Sequence, residues 1–369
     1  MCLLLSGCWD KVEIENRAFV LSLGIDKYSE KQDSEISPKE NMENRFSVSI
    51  AMPQTEDSSS ENDENINKVK TSSNVTISSA MQFSGSHSSQ KLFFGHTKLA
   101  VFGSELLKNS ELFRETIDTF ERTPEISRKI LILSTDNEAE EVLGFKESSE
   151  PVSMFISNFY KNNINGSAVT FKQTLENLVL DLRTSGNTII PKVTVEDKSL
   201  QVGGAAIIKD FEFVDWIEGE EMRGYLFVKE GAEGANVMTE FEDTFVPLEV
   251  TKNKAQVTFL QTSDGLVCNI YVKVDGTVDE FKFTEEVLAT EENLSELSHL
   301  YRNKIESDIE SCLSKFEKHD VDGFALKEYL RKRNYDLYEI YGKDNNDFYN
   351  QLIIVPLVEV NVRGTGSVI

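Results

Sequence analysis

No stretch of this chain approaches the roughly 18 to 20 consecutive apolar residues that cross a bilayer as a helix, so no helical membrane span is expected within it. Positive charge is scarce too: 38 Lys and Arg stand against 63 Asp and Glu, a formal net charge of −25. Nucleic-acid binding needs basic side chains to displace counterions from phosphates, which excludes nucleic acid as a partner. The same balance disfavours adsorption to anionic head groups. Histidine is limited to His87, His96, His299 and His319, none in a His-Glu-x-x-His or other metal spacing. His96, in Phe94-Gly95-His96, is expected to order the turn before a strand. There is no Gly-x-Ser-x-Gly elbow, P-loop or dinucleotide fingerprint, and Gly203-Gly204 is too short to cradle phosphate and reads as a bend. Asp320-Val321-Asp322-Gly323 resembles the start of a calcium loop but lacks the third ligand and the closing Glu, so it reads as a helix-terminating turn. Carboxylate pairs abound in so acidic a chain and are not diagnostic of acid–base catalysis. The expectation is a protein that is not an enzyme and holds no metal.

Proline (seven) and glycine (20) are too few for a collagen-like or low-complexity chain, whereas 39% hydrophobic residues, including 23 Phe, can fill real cores. At 369 residues two or three domains are expected.

Cysteine is equally sparse, at four. Cys8 closes Leu5-Ser6-Gly7-Cys8, which matches a bacterial lipobox: a leucine and two small residues ahead of the cysteine that is lipidated. Used in that way, the motif loses Cys2 and leaves covalent diacylglycerol and an N-acyl chain on Cys8. Acyl burial contributes about 0.8 kcal/mol per CH₂, and two chains anchor stably where one is marginal. A leader needs a basic segment and an apolar run of about 7 to 15 residues, yet only Cys2 to Leu5 precede the small pair. Residues 1–8 thus read as a leader remnant whose start lies upstream, the alternative being a buried N-terminal strand with a chance cysteine. Cys268 and Cys312 remain. An extracytoplasmic setting permits a disulfide, but both fall on apolar faces and read better as buried free thiols.

After Cys8 come Trp9-Asp10-Lys11-Val12-Glu13-Ile14 and Arg17-Ala18-Phe19-Val20-Leu21-Ser22-Leu23-Gly24-Ile25-Asp26. Further on lie Lys91-Leu92-Phe93-Phe94-Gly95-His96-Thr97-Lys98, then Phe120-Glu121-Arg122-Thr123-Pro124-Glu125-Ile126. The C-terminal part carries Gly203-Gly204-Ala205-Ala206-Ile207-Ile208-Lys209-Asp210, Glu221-Met222-Arg223-Gly224-Tyr225 and Asp322-Gly323-Phe324. In this order they resemble the Ger(x)C family of spore germination lipoproteins, the C subunits of nutrient germinant receptors. Thr123-Pro124 departs from the family's acidic position. The resemblance covers nearly the whole chain. It implies a non-enzymatic lipoprotein held through Cys8 on the outer face of the inner spore membrane. It also implies packing against integral membrane A-type and B-type subunits, with assembly and signal transmission as the mechanism. Nutrient perception in the family is associated mainly with the membrane subunits, so no ligand pocket is expected here. Trp9, Asp10 and Glu13 become candidates for membrane-proximal contacts, with simple packing an equal alternative for Trp9. One rival is an extracytoplasmic solute-binding lipoprotein that delivers a small molecule to a transporter, which predicts two similar lobes. The other is an envelope enzyme.

Residues 17–26 and 45–53 read as strands, with 28–44 as a loop and 54–74 as a solvated insertion. Helical spacing of Ile77, Ala80, Met81 and Ser84 predicts a helix within 75–90. A strand at 98–102 leads to a helix capped by Ser104, with Leu106, Leu107, Phe113, Ile117 and Phe120 as its stripe. A strand at 128–134, a helix capped by Asp136, and a helix from Pro151 to Tyr160 follow. Thr170 and Gln173 read as a capping box ahead of Leu175, Leu178, Val179 and Leu182, and Pro191 marks 189–195 as an edge strand. The stretch 197–203 reads as a border. Strands are expected at 204–209, 237–250, 255–261 and 266–274, the last with Leu266, Cys268, Ile270, Val272 and Val274 on one face. A helix at 291–318 is buried through Leu294, Leu297, Tyr301, Ile305, Ile309, Cys312 and Phe316, and a shorter helix at 324–332 and a strand at 352–362 close the chain. The class is α+β and multidomain, with mixed or antiparallel sheets flanked by helices. An N-terminal region at 9–199, open to division near 125–135, precedes a C-terminal domain at 200–369.

Overall fold

The computed structural model describes residues 13–30, 44–53, 67–146, 150–162, 169–278, 290–343 and 348–364. Leu5, Ser6, Gly7, Cys8, Trp9 and Asp10 lie outside these residues, as do most of the 28–44 loop and residues 54–66.

The chain opens with β1 (Arg17–Phe19), β2 (Ser22–Lys27), β3 (Phe46–Pro53), β4 (Asn67–Asn74), α1 (Ile77–Ser86), β5 (Lys91–Phe93) and β6 (Leu99–Phe102). Next come α2 (Ser104–Leu107), α3 (Ser110–Arg122), β7 (Leu131–Ser134), α4 (Ala139–Leu143), α5 (Val152–Asn162) and α6 (Leu175–Thr184). They are followed by β8 (Asn187–Glu196), β9 (Ser199–Lys209), β10 (Glu212–Ile217) and α7 (Gly219–Lys229). The last block is β11 (Asn236–Phe241), β12 (Thr244–Thr262), β13 (Gly265–Val278), α8 (Glu291–His319), α9 (Leu326–Arg333), α10 (Tyr335–Tyr341) and β14 (Leu352–Gly364). A mixed eight-stranded sheet has the order β10-β9-β8-β7-β6-β2-β3-β4, and a four-stranded sheet the order β11-β12-β13-β14. A short parallel pair joins β1 to β5. This is α+β, with helices packed on the sheets.

The apolar periodicities become buried faces. Ile77, Ala80, Met81 and Ser84 are the buried residues of α1, and Leu175, Leu178, Val179 and Leu182 those of α6. Leu266, Cys268, Ile270, Val272 and Val274 are at most 1% exposed on β13. Strands β8 and β9 alternate between two interiors. Ile190, Ala206 and Ile208 pack with α1, α3 and α6, while Ile189, Ala205 and Ile207 on the opposite face pack with α7 and α8. Each of the isoleucines, fully buried, contributes about 1.5–3 kcal/mol, and each alanine less.

Several local expectations are corrected. The segment 67–74 is a strand paired with β3, because its polar side chains bond inward: Ser72 Oγ donates to Ala80 O at 2.8 Å and contacts Ser84 Oγ. Asn109, not Ser104, caps the long helix, accepting from Leu112 N at 3.0 Å, and the stripe is split between α2 and α3. Thr174, not Thr170, caps α6, while Gln173 Nε2 donates to Asp181 and Thr188. Strand β8 is central rather than an edge. Pro191 is tolerated because it sits at a register shift, where β7 pairs only through Ser134↔Lys192 and Ser134 Oγ donates to the Ile190 and Pro191 carbonyls at 3.0 Å. The stretch 197–203, read as a border, holds a two-residue turn at Asp197-Lys198, both at positive φ, followed by the start of β9, and β9 and β10 continue the same sheet.

Candidate functional site

The sequence motifs converge in three places. The first is the short β1–β5 pair, which joins two motifs far apart in sequence: Arg17 sits opposite Lys91 and Phe19 opposite Phe93. His96 stacks on Phe19 with centroids 5.0 Å apart, Phe93 meets Phe19 edge-on at 5.8 Å, and the Arg17 guanidinium lies 4.7 Å over the Phe93 ring. Thr97 Oγ1 donates to Val20 O, which fastens the turn to the chain entering β2. His96 therefore orders this turn, as its position indicated. Glu13 is exposed just before this platform and makes no side-chain cap.

The second place is Gly24-Ile25-Asp26. Asp26 is 3% exposed, and its two carboxylate oxygens accept from Ala139 N (2.8 Å) and Glu140 N (3.2 Å). The cap of α4 thus comes from a residue 113 positions away, not from Asp136. Burial pushes the Asp26 carboxyl up to about 7, against the two backbone donors and with Glu138 and Glu140 adding to the rise. A group whose folded pKa is raised holds its proton more tightly when folded. Its contribution is complete below the unfolded value near 4 and is lost as pH rises through about 7. In urea unfolding, the stability of the wild type relative to Asp26→Asn is expected to fall by a few kcal/mol between pH 4 and pH 8, because each tenfold difference in proton affinity is worth about 1.4 kcal/mol. A flat difference would show that Asp26 keeps an ordinary pKa.

The third place is the crossing of α7 over α8, where three C-terminal motifs meet. A β-carbon on Gly224 would lie 2.5 Å from the Asp308 carbonyl carbon and 2.9 Å from Ile309 N, so only glycine admits this approach. Beside it, Arg223 Nε donates to Asp308 Oδ2 at 2.6 Å. Asp308 is fully buried; its Oδ1 has no hydrogen bond but lies 3.4 Å from the Lys304 ammonium, and Lys304 also pairs with Glu220. Burial raises the Asp308 carboxyl above its usual range, although Arg223 and Lys304 pull it down. Tyr225 stacks on Phe324 at 6.0 Å and meets Phe171 and Phe316. Asp322 accepts from Leu326 N (2.7 Å) and Lys327 N (2.8 Å), and Asp320 ends α8 at positive φ with Lys209 Nζ 2.9 Å away. The Asp320–Gly323 segment is a helix-to-helix turn. Cys268 and Cys312 are buried free thiols, with Cys268 pushed up to about 12 by burial.

Gly204, at φ +72°, lets β9 pass 2.8 Å (measured from an ideal β-carbon) from Ile217 O and lines a cleft of about 550 Å³ with Lys192, Gln201, Glu218 and Arg223. Lys192 is 9% exposed, paired with Glu218, 3.5 Å from Asp136 and 5.0 Å from the Trp216 ring. The cleft is a mixed-charge seam, and among the described residues no group of three His, Cys, Asp or Glu is placed to hold one metal ion. No helix among them is long and apolar enough to cross a membrane. Asp26 closes a motif quoted from the sequence, but its burial and its capping of α4 were missed there, as were the buried Asp308 and Lys192. Asp308 left a signal as an acid on the buried stripe between Ile305 and Cys312.

Residues 10–195 match the family described as spore germination protein N-terminal domain, and residues 203–366 match that described as spore germination B3/GerAC like, C-terminal. Spore germination protein YndF of Bacillus subtilis (strain 168) is 22% identical over 391 residues, covering 100% of this chain and 96% of that protein. Spore germination protein B3 of the same organism is 22% identical over 343 residues, covering 91% and 88%. Spore germination protein KC, also from it, is 20% identical over 392 residues, covering 99% and 93%. The crystal structure of the GerBC protein has the same fold, with a TM-score of 0.60 at 16% identity over 88% of this chain and 95% of that one.

Proposed function

Because the chain belongs to the GerAC family of spore germination proteins, we propose that it is the lipid-anchored C subunit of a nutrient germinant receptor. It is a spore germination protein and not an enzyme. In this reading Cys8 carries the lipid and holds the body against the outer face of the inner spore membrane. The body assembles with integral A-type and B-type subunits and transmits their signal without turnover. One observation carries the reading: both family segments match in order, and together they run from residue 10 to residue 366. The β1–β5 platform follows Cys8 closely enough that Trp9, Asp10 and Glu13 fall between anchor and body. A solute-binding reading draws no support from two sheets of eight and four strands with different orders.

The test is dipicolinate release from spores lacking the gene, with nutrients compared against a cationic surfactant. Loss of the response to one nutrient with the surfactant response intact is the expected result. An unchanged response to every nutrient, in a strain also lacking paralogues, would overturn the reading.

A further inference from the structure

A cavity of about 370 Å³ lies where the C-terminal turns of α6 and α7 meet the start of β8 and the face of α9. Most polar groups on its wall already have partners. Thr184 and Ser185 donate to backbone carbonyls, and Asp322 caps α9. Lys229 Nζ donates to Phe324 O at 3.3 Å, and Glu328 holds both Arg331 and Lys332.

Two neighbouring groups keep unused capacity. Tyr225 is 4% exposed, with its ring packed among Phe171, Phe316 and Phe324. It lines the cavity, yet its hydroxyl has no hydrogen bond among the described residues. Buried tyrosine hydroxyls ordinarily find a partner. Asp181 Oδ2 accepts from Gln173 Nε2 at 3.2 Å and from Thr188 Oγ1 at 3.0 Å. Its Oδ1 has neither a hydrogen bond nor an ion pair among the described residues. Burial raises the Tyr225 hydroxyl well above its usual range, and the charges of Glu230 and Asp181 add to the rise, which places Asp181 close to it.

We propose that this cavity binds a small primary amine as its ammonium ion, with the charge on Asp181 Oδ1 and the Tyr225 hydroxyl and the carbon chain along Ile189 and Leu180. An ammonium offers three donors and no acceptor, which a free carboxylate oxygen and a free hydroxyl can take up. The last turns of α6 and α7 turn their negative ends towards the same space. A bare metal ion would need several oxygens at about 2.0–2.6 Å, and no three acids converge among the described residues. An anion would face the Asp181 carboxylate, while the rim cations Arg331 and Lys332 are engaged with Glu328. Burial lifts the Asp181 carboxyl above its usual range, against Thr188, Gln173 and Lys229. A bound ammonium supplies the close countercharge that Asp181 lacks.

Amine binding is independent of the receptor assignment, so either can fail without the other. Its test uses the purified full-length chain, titrated in a calorimeter at constant ionic strength. The probes are n-butylammonium, n-butanol and n-butyrate, each at millimolar concentration. Saturable binding of butylammonium is expected, with the alcohol and the acid weaker by about tenfold or more because the charge-assisted bond is lost. Asp181→Asn should erase the preference for the ammonium over the alcohol. Tyr225→Phe keeps the packed ring and removes no hydrogen bond, so the unliganded protein should melt no lower than the wild type. Butylammonium should nevertheless bind it about threefold more weakly. Equal affinity for ammonium and alcohol would overturn the proposal, as would binding untouched by both substitutions. So would the absence of saturable binding, because the cavity would then hold only water.

Discussion

Arg223→Met is expected to lower the unfolding free energy by about 3 kcal/mol, because it strands a buried carboxylate. Asp308 is fully buried and takes a 2.6 Å bond from Arg223 Nε; its other nearby cation is Lys304 at 3.4 Å, shared with Glu220. Methionine keeps most of the volume and removes the charge, so the loss reports the ion pair rather than packing. Loss of one partner of such a pair commonly costs about 3–5 kcal/mol, and retention of Lys304 argues for the lower end. In a thermal melt of a body of this size this is a drop of roughly 4 °C. Adding Asp308→Asn removes the stranded charge, and the double variant should recover a substantial part of the loss. A melting point unchanged by Arg223→Met would mean that Lys304 alone holds Asp308.

Gly224→Ala is the second large effect, and two terms oppose one another. Alanine favours a helix interior over glycine by about 1 kcal/mol. Against that, the new methyl would lie 2.5 Å from the Asp308 carbonyl carbon and 2.9 Å from Ile309 N, which are backbone atoms of α8 that cannot rotate away. Overpacking of this kind costs about 1–3 kcal/mol or more, and separating the helices also lengthens the Arg223–Asp308 bond. The net expectation is a loss of about 2 kcal/mol, read from the urea midpoint. A gain in stability would show that α7 and α8 can part without loss.

What the sequence revealed depends on how local the cause was. Helix α8 was legible because Leu297, Tyr301, Ile305, Ile309, Cys312 and Phe316 recur on one face, and those residues are buried, whereas Leu294, read as the first of the stripe, is only half-buried near the start of the helix. The alternation of β13 was legible for the same reason, and Asp264-Gly265, a hairpin-turn dipeptide, joins β12 to β13. The errors concern partners distant in sequence. Asp136 looked like a cap by position, but Asp26 reaches α4 across the sheet. Pro191 looked like an edge marker because the register shift that shelters it depends on β7 and β9. Strand β4 looked like a solvated insertion, since serine side chains reveal nothing of the hydroxyl and carbonyl partners that α1 supplies. Strand β10 and helix α7 went unread between two strand blocks, although Arg223-Gly224 stood out as a motif. Its meaning, a glycine contact beside a buried ion pair, requires α8, which lies about 80 residues later.

Strands β8 and β9 serve as a party wall between two rooms. Ile190 and Ile208 face one side, Ile189 and Ile207 the other, and adjacent residues of one backbone furnish both interiors. Neither half can tilt without dragging the wall, and the wall carries the packing of the other half. The body is therefore built as a stiff strut rather than two beads on a hinge, so a torque applied near β1 reaches the far sheet as rotation of the whole.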